Sequence, residues 1–240
     1  MKKLYIITIV ALIAAFLTAF ICWQTGEDKD IHTTDIVSDT SVWFATDDEL
    51  VDYVRPMVVM VTAGENHASG VIADISEDYV TVFTAGHLME GYDQGIITFY
   101  TGNAGFGDVC YVSENPDLCI MTFATKFIDD SLLEKLSAAR IDRDAYNRIS
   151  EGDVVYLAGS ALSTGSNVTK GTIASPDFYM AEFDARMLYL YADVMAGMSG
   201  CPTFDENGYL LGLLCAGTES GEAVCVKLAD IIDKWEEIKR

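Results

Sequence analysis

The chain has 240 residues, half of them hydrophobic, and its 37 acidic residues outnumber its 15 basic ones to give a formal net charge of −22. A charge of this sign and size excludes a general nucleic-acid-binding surface, because phosphate groups would be repelled, whereas basic substrates would be attracted. The chain contains three histidines and no Cys-x-x-Cys pair. It therefore offers no cluster for a structural zinc ion, and we predict neither a metal nor another cofactor.

The first predicted element is a hydrophobic segment at the amino terminus. Met1-Lys2-Lys3 precede residues 4–23, which carry no charge and as a helix would extend about 30 Å, enough to cross the hydrocarbon core of a membrane. The segment is longer than the core of a typical signal peptide and does not end in small residues, which favours an uncleaved anchor over a cleaved signal peptide. We expect residues 1–23 to be a cytoplasmic stub and transmembrane anchor and residues 24–46 a polar tether. The remainder would then lie outside the cell membrane, or be secreted if the leader is cleaved.

Residues 47–240 are predicted to form one β-rich domain. Thr46-Asp47-Asp48-Glu49 is a capping-box pattern that would begin a short helix running toward Arg55. Short apolar runs then alternate with Gly, Asp, Asn and Ser, which indicates strands of a barrel or sandwich. These runs are residues 57–62, 79–83, 95–100, 118–123, 154–157, 188–191 and 210–215. Residues 127–150 are expected to be a helical or irregular connection, and residues 226–240 a terminal helix with one apolar face.

A histidine and an aspartate stand next to predicted strands. His87 follows the run 79–83, where a loop residue can act from a rigid scaffold, whereas His32 and His67 lie in polar segments and are interpreted as solvated loop residues. Asp117 precedes the run 118–123, while most other acidic residues lie in charged, loop-like stretches. An aspartate can fix the tautomer of a catalytic histidine and stabilise its imidazolium. His87 and Asp117 are therefore candidates for a general base and the acid that orients it.

The hexapeptide Gly197-Met198-Ser199-Gly200-Cys201-Pro202 places a serine between two glycines. A hydroxyl that attacks a carbonyl must stand clear of its own backbone, and glycines lack the Cβ atoms that would crowd it. The amides of Gly197 and Ser199 could then point at one place, as an oxyanion hole requires. A glycine-rich hairpin is the alternative interpretation. A serine also needs an imidazole to accept its proton, so Ser199 is a candidate nucleophile only in combination with a histidine.

These motifs together resemble those of the trypsin-like serine peptidases, and most of all the bacterial Deg-type (HtrA-type) protease domains. The segments that carry the resemblance are Thr84-Ala85-Gly86-His87, Asn115-Pro116-Asp117-Leu118 and the serine hexapeptide, in the order His, Asp, Ser. Further similar segments are Ser69-Gly70-Val71-Ile72, before the histidine, and residues 152–159 and 168–173, at the opening of the second barrel. The resemblance spans roughly residues 48 to 235 and includes no PDZ domain, which Deg-type relatives often carry.

The resemblance implies an all-β fold of two six-stranded antiparallel barrels with a C-terminal helix. Barrel 1 would span about residues 52–126 and barrel 2 about residues 150–228. It also implies a serine endopeptidase that acts on proteins or peptides through an acyl-enzyme, with His87 as general base and acid, Asp117 orienting it and Ser199 attacking. The amides of Gly197 and Ser199 would form the oxyanion hole. A catalytically silent peptide-binding module is the alternative.

The resemblance also predicts substrate-binding residues. Cys215, Ala216 and Gly217 would form one wall of the specificity pocket. Asp193 precedes Ser199 by six residues, the spacing at which trypsin carries the aspartate of its pocket floor. Either Asp193 gives a preference for Lys and Arg, or it is a surface residue.

Three residues depart from the pattern of the relatives. Met198 replaces the aspartate with which animal digestive enzymes pair a new amino terminus, so that form of activation is not available to this chain. Cys201 stands where many relatives have glycine, and Gly86 where alanine is usual. Neither of these last two changes removes a catalytic group.

Five cysteines remain once Cys22 in the predicted anchor is set aside, so at least one is free within a monomer. Cys110 and Cys119 flank a predicted hairpin centred between Glu114 and Asn115. That symmetry would permit a cross-strand disulfide in an oxidising compartment, and buried free thiols are the alternative.

Overall fold

The computed structural model describes residues 44, 46–159 and 168–239. The predicted anchor at residues 1–23 and nearly all of the predicted tether lie outside these residues. Within the described part of the chain, no helix is both long enough and apolar enough to span a membrane.

Twelve strands in the described residues form two closed antiparallel barrels of six strands each. Barrel 1 contains β1 (Val58–Ala63), β2 (Asn66–Ile75), β3 (Tyr79–Thr84), β4 (Gln94–Phe99), β5 (Ala104–Glu114) and β6 (Asp117–Ala124). Barrel 2 contains β7 (Val154–Ala158), β8 (Val168–Met180), β9 (Ala185–Tyr191), β10 (Pro202–Asp205), β11 (Leu210–Gly217) and β12 (Glu222–Lys227). The strand orders β1-β2-β3-β6-β5-β4 and β7-β8-β9-β12-β11-β10 are the same, so barrel 2 repeats the topology of barrel 1. The predicted pair of six-stranded barrels is confirmed.

Short helices lie at the ends of the domain, between the barrels and, in barrel 1, between β3 and β4. The α-helices are α1 (Asp47–Val54), α2 (Gly86–Met89), α3 (Asp130–Leu133), α4 (Arg143–Arg148) and α5 (Leu228–Ile238), and two 3-10 turns cover Arg55–Met57 and Thr125–Phe127. The hydroxyl of Thr46 accepts a hydrogen bond of 3.3 Å from the amide of Glu49, which is the N-cap that the sequence predicted for α1. Helices α3 and α4 lie in the predicted connection, and α5 is the predicted terminal helix.

Every run that the sequence marked as a strand overlaps an observed strand, whereas several observed strands carry no such run. Strand β5 is the clearest case, because exposed and partly buried residues alternate along nearly its whole length. It also contains glycines, which give no apolar signal. Strand β10 has only four residues and begins with a proline. A search for apolar runs therefore misses a half-exposed strand such as β5 and a very short one such as β10.

The two barrels pack against each other through a shared apolar cluster. Phe83 and Ile120 of barrel 1 belong to the same buried cluster as Leu188 and Phe204 of barrel 2. Helix α5 adds to this junction, because the ring of Trp235 meets that of Phe83 edge to face at 5.2 Å. Fully burying one large apolar side chain contributes about 1.5–3 kcal/mol, so this cluster holds the barrels in one arrangement.

Of the two alternatives that the sequence left open for Cys110 and Cys119, a disulfide or free thiols, the structure has free thiols, with Cys119 buried and Cys110 exposed. The β5–β6 hairpin pairs Glu114 with Asp117, so that Val112 lies opposite Cys119. Cys110 falls in an irregularity of the ladder between Val109 and Tyr111, and its sulfur contacts the hydroxyl of Thr122 at 3.4 Å. Neither the turn position nor the bulge can be read from the spacing of the cysteines.

Candidate active site

Asp117 and His87 are joined by two hydrogen bonds between elements of barrel 1. The backbone N–H of His87, in the first turn of α2, donates to Oδ1 of Asp117 at 2.8 Å, and the ring Nδ1 lies 2.8 Å from Oδ2. The aspartate is 6% exposed and the imidazole 51% exposed. Since a carboxylate can only accept, Nδ1 carries the hydrogen and Nε2 is left free to take a proton.

The electrostatics of this pair favour a protonated imidazole. The hydrogen bond that His87 donates to Asp117 raises the pKa of His87 above its ordinary value, and the charge of the carboxylate adds to this effect. Partial burial of the ring opposes the shift. The carboxylate of Asp117 thus makes the imidazole a stronger base for accepting a proton.

Gly86 allows α2 to approach the hairpin that carries Asp117. A Cβ atom on Gly86 would lie 2.1 Å from the carbonyl oxygen of Ser113 and 2.8 Å from the backbone nitrogen of Leu118. Both atoms are backbone and cannot turn away. This close approach explains why the chain has glycine where alanine is usual among the enzymes it resembles.

The backbone on either side of Ser199 is fixed to both barrels. The carbonyl of Ser199 accepts a hydrogen bond of 2.8 Å from the amide of Ser69, in β2, and the amide of Gly200 donates to Leu214, in β11, at 2.7 Å. Gly200 has a φ of +73°, and a Cβ there would lie 2.2 Å from the carbonyl oxygen of Ser69. Only glycine fits position 200. The two hydrogen bonds, one to each barrel, place Ser199 where barrel 1 meets barrel 2.

Two amides in the serine loop, which is residues 192–201 between β9 and β10, have no partner among the described residues. The backbone N–H groups of Gly197 and Ser199 donate to no other described residue, whereas that of Met198 donates to Met195 at 3.2 Å. Gly197 has a φ of +88°. Both amides are therefore available to another hydrogen-bond acceptor, and their role in stabilising negative charge on a carbonyl oxygen stays a prediction.

Comparison with known proteins now adds to this geometry. The family model of the trypsin-like peptidase domain matches residues 68–213, more than half of the 240-residue chain. The chain belongs to the trypsin-like peptidases. It is therefore a serine protease by family, and the predicted resemblance is confirmed. Among solved structures, the serine endoprotease from Yersinia pestis is similar, with a TM-score of 0.64, 21% sequence identity, and coverage of 81% of this chain and 67% of that one. A search of curated proteins finds no match.

Met198, before Ser199, and Cys201, after it, are buried in this trypsin-like domain rather than catalytic. Met198 and Cys201 are 5% and 0% exposed and belong to the apolar cluster that the two barrels share. Burial raises the pKa of the Cys201 thiol well above its ordinary value, so this cysteine is an inert packing residue. The side chains on both sides of Ser199 thus hold the loop by apolar contact.

The predicted specificity wall lies at the end of β11. Cys215 is buried and its sulfur contacts the carbonyl oxygen of Val224 at 3.1 Å, while Ala216 and Gly217 are increasingly exposed. A Cβ on Gly217 would lie 2.1 Å from a methyl group of Val194, so the serine loop packs directly on this strand. Asp193 is exposed, and its carboxylate lies beside Gly221 in the turn between β11 and β12.

His67 lies closer to this site than the sequence indicated. Its ring atoms Cδ2 and Nε2 are 3.8 Å from the position that a Cβ on Gly197 would take. The residue is exposed, as predicted, but it belongs to β2 rather than to a loop, and it precedes Ser69 by two positions. The sequence signal that could have revealed His67 is its position two residues before Ser69. Ser69 lies in the same strand and binds the serine loop.

Proposed function

We propose that this trypsin-like peptidase is an endopeptidase in which His87, Asp117 and Ser199 act as a catalytic triad. The observation that supports the proposal most directly is the double hydrogen bond by which one buried carboxylate holds both the backbone and the ring of His87. This bond leaves Nε2 as the basic atom. The placement of Ser199 between the barrels by Ser69 and Leu214 supports its role as the attacking group.

Each residue has one step in the proposed reaction. Nε2 of His87 takes the hydroxyl proton of Ser199 while Oγ bonds to the carbonyl carbon of the substrate, and the carbonyl π electrons move to its oxygen. The carbon–nitrogen bond then breaks, and the imidazolium returns the proton to the leaving amine. Water enters by the same two proton transfers and releases the acyl group from Ser199.

The amides of Gly197 and Ser199 are proposed as the oxyanion hole. They would donate hydrogen bonds to the substrate oxygen when it becomes negatively charged. One such donor is worth about 3–4 kcal/mol of barrier, which corresponds to roughly a hundred- to a thousandfold in rate. The positive φ angles of Gly197 and Gly200 support this role. Glycine adopts such angles readily because it has no Cβ atom, and these angles let the loop turn sharply on both sides of Ser199.

The proposed substrates are exposed or unfolded segments of proteins outside the cell membrane. The uncharged segment 4–23 supports this location, since a helix of that length would hold the catalytic domain at the membrane surface. The lysines before it would remain in the cytoplasm.

A fluorophosphonate probe tests the triad, because it reacts covalently with an activated serine. The full-length protein should become labelled, Ser199→Ala should not, and Ser131→Ala, which removes an exposed hydroxyl on α3, should label like the wild type. Removing a triad serine typically lowers turnover by about six orders of magnitude. Equal labelling of the wild type and Ser199→Ala would refute the assignment.

A further inference from the structure

Thr84 is the last residue of β3, and it lies where the elements that carry the proposed triad come together. Its partners in the sheet are Gly70 of β2 on one side and Cys119 of β6 on the other. Cys119 is two residues after Asp117 in the chain. Thr84 itself is three residues before His87. The side chain of Thr84 is fully buried, so its hydroxyl contacts protein atoms and not solvent.

A hydrogen bond joins Thr84 to the residue of β2 that binds the serine loop. The hydroxyl of Thr84 donates to the carbonyl oxygen of Ser69 at 2.7 Å, and both residues are buried. The amide of Ser69 in turn donates to the carbonyl of Ser199 at 2.8 Å. Because hydrogen bonds are directional and weaken steeply when they are bent, the hydroxyl fixes the place of the backbone through which barrel 1 holds the nucleophile.

The serine loop also packs directly on Thr84. A Cβ atom on Gly200 would lie 2.2 Å from the carbonyl oxygen of Ser69 and 2.7 Å from Oγ1 of Thr84. It would lie 2.8 Å from the backbone nitrogen of Ala85, the residue that precedes α2. The loop therefore rests on the hydroxyl, on the carbonyl that accepts from it and on the start of the helix that carries His87.

The proposed reaction requires an accurate distance between two separate elements. Nε2 of His87 must lie within hydrogen-bond reach of the hydroxyl of Ser199 to take its proton. His87 belongs to barrel 1, whereas Ser199 belongs to the loop between β9 and β10 of barrel 2. The contacts from Thr84 through Ser69 to Ser199 connect the two across the junction of the barrels. A displacement of about 1 Å between such groups costs on the order of a hundredfold in rate.

We propose that Thr84 is a positioning residue that sets the distance between Ser199 and His87. It acts through the backbone of Ser69, touches no substrate and transfers no proton. The hydroxyl is essential to this role, because valine has a similar size but would place a methyl group 2.7 Å from a carbonyl oxygen, whereas ordinary contact begins near 3.4 Å. The Ser69 backbone would then move, and the carbonyl of Ser199 with it. The proposal rests on the proposed function, in which Ser199 attacks and His87 takes its proton.

Full-length variants that differ in one hydroxyl test the proposal. Thr84→Val removes the hydroxyl and keeps the size of the side chain, whereas Thr84→Ser keeps the hydroxyl and removes a methyl group. Thr125→Val is the matched control, because this buried threonine of barrel 1 also donates to the backbone carbonyl of another segment, that of Glu77. Thr125 follows β6 at the end of the strand opposite to Asp117. We would measure kcat, KM, the rate of fluorophosphonate labelling and the melting temperature of each variant.

Thr84→Val should lower kcat and the labelling rate by about ten- to a hundredfold. KM should stay within about threefold of the wild type, because no atom that touches the substrate is changed. The midpoint of the acid limb of the pH profile should also stay the same, since the hydrogen bonds between His87 and Asp117 do not involve Thr84. Thr84→Ser should keep kcat within about threefold of the wild type. Thr125→Val should melt at a lower temperature, as Thr84→Val does, and keep its kcat.

Three results would overturn the positioning role. The first is a Thr84→Val protein with the kcat and labelling rate of the wild type. The second is an equal loss of kcat in Thr84→Ser, because the methyl group and not the hydroxyl would then matter. The third is an equal loss in Thr125→Val, which would indicate a general effect of lower stability. If Thr84→Val does not fold, Thr84→Ala replaces it, since alanine differs from serine only by the hydroxyl, and equal kcat in Thr84→Ala and Thr84→Ser would overturn the role.

The wild type distinguishes this proposal from the proposed function. If the wild type neither cleaves peptides nor becomes labelled at Ser199, the endopeptidase assignment is refuted, and the positioning role with it. If the wild type cleaves peptides and is labelled at Ser199, and Thr84→Val does both at the same rates, the positioning role alone is refuted.

Discussion

Gly86→Ala is expected to disable the enzyme while leaving it folded. The added methyl group would lie 2.1 Å from the carbonyl oxygen of Ser113, whereas ordinary contact begins near 3.4 Å. Helix α2 and the β5–β6 hairpin must therefore separate by more than 1 Å. His87 is on the first element and Asp117 on the second, so their hydrogen bonds lengthen. Misplacing a catalytic group by about 1 Å costs on the order of a hundredfold in rate.

The stability cost of this substitution should be moderate. Overpacking a tight site destabilises by about 1–3 kcal/mol, and each kcal/mol lowers the melting temperature of a domain of this size by about 2–4 °C. The control is Gly102→Ala, at a glycine with a φ of +86° and no neighbour within 4 Å of its Cβ position. Its backbone strain costs about 1–2 kcal/mol without moving the site.

Melting temperature and kcat/KM on one cleaved peptide distinguish the two effects. Both variants should melt a few degrees below the wild type, but only Gly86→Ala should lose about two orders of magnitude in kcat/KM. If Gly86→Ala keeps kcat/KM within threefold of the wild type, the hairpin tolerates the methyl group. The geometric explanation of this glycine would then be wrong.

Two other predictions follow from the titratable groups. Because Asp117 raises the pKa of His87, the acid limb of the pH profile of kcat/KM should have its midpoint above pH 6.5. In Asp117→Asn this midpoint should move to lower pH, and turnover should fall by about four orders of magnitude. The same pair should stabilise the fold most below pH 6.5, and denaturant titrations of wild type and His87→Gln should converge as the pH rises through the raised pKa. Alkylation of the native protein should modify only the exposed Cys110 among the cysteines of the described residues, and mass spectrometry would identify the modified residue. Cys119 should stay unmodified, because burial raises its pKa to about 12. A modified Cys119 or a Cys110–Cys119 disulfide peptide would contradict this.

The candidate catalytic residues could be found from the sequence because each one sits in a local pattern. His87 and Asp117 stand next to apolar runs that become β3 and β6, and Ser199 stands between two glycines that both adopt positive φ angles. These patterns involve only residues that are neighbours in the chain. A run of apolar residues indicates a strand buried on both faces, and glycines indicate a turn with positive φ angles. The order of the three motifs then identified the family.

The β5–β6 hairpin shows where such reasoning ends. The spacing of Cys110 and Cys119 was compatible with a disulfide, but a turn at Asn115 and Pro116 and a bulge after Val109 place the two residues out of register. A shift of one or two residues leaves the composition of both strands unchanged. Register is decided by contacts across the barrel, which no local pattern contains.

The sequence by itself determined seven of the twelve described strands, the capped first helix, the order of His, Asp and Ser, and therefore the family of the protein. Only the tertiary structure decided that barrel 2 repeats the topology of barrel 1, that Gly86 lies against Ser113, and that His67 lies beside Gly197. A cavity between the β8–β9 hairpin and strands β11 and β12 also exists only in three dimensions, because residues 178–183 and 216–224 line it together. Local sequence patterns indicate the secondary structure of each segment. The contacts named here depend instead on how closed barrels bring segments that are distant in the chain together.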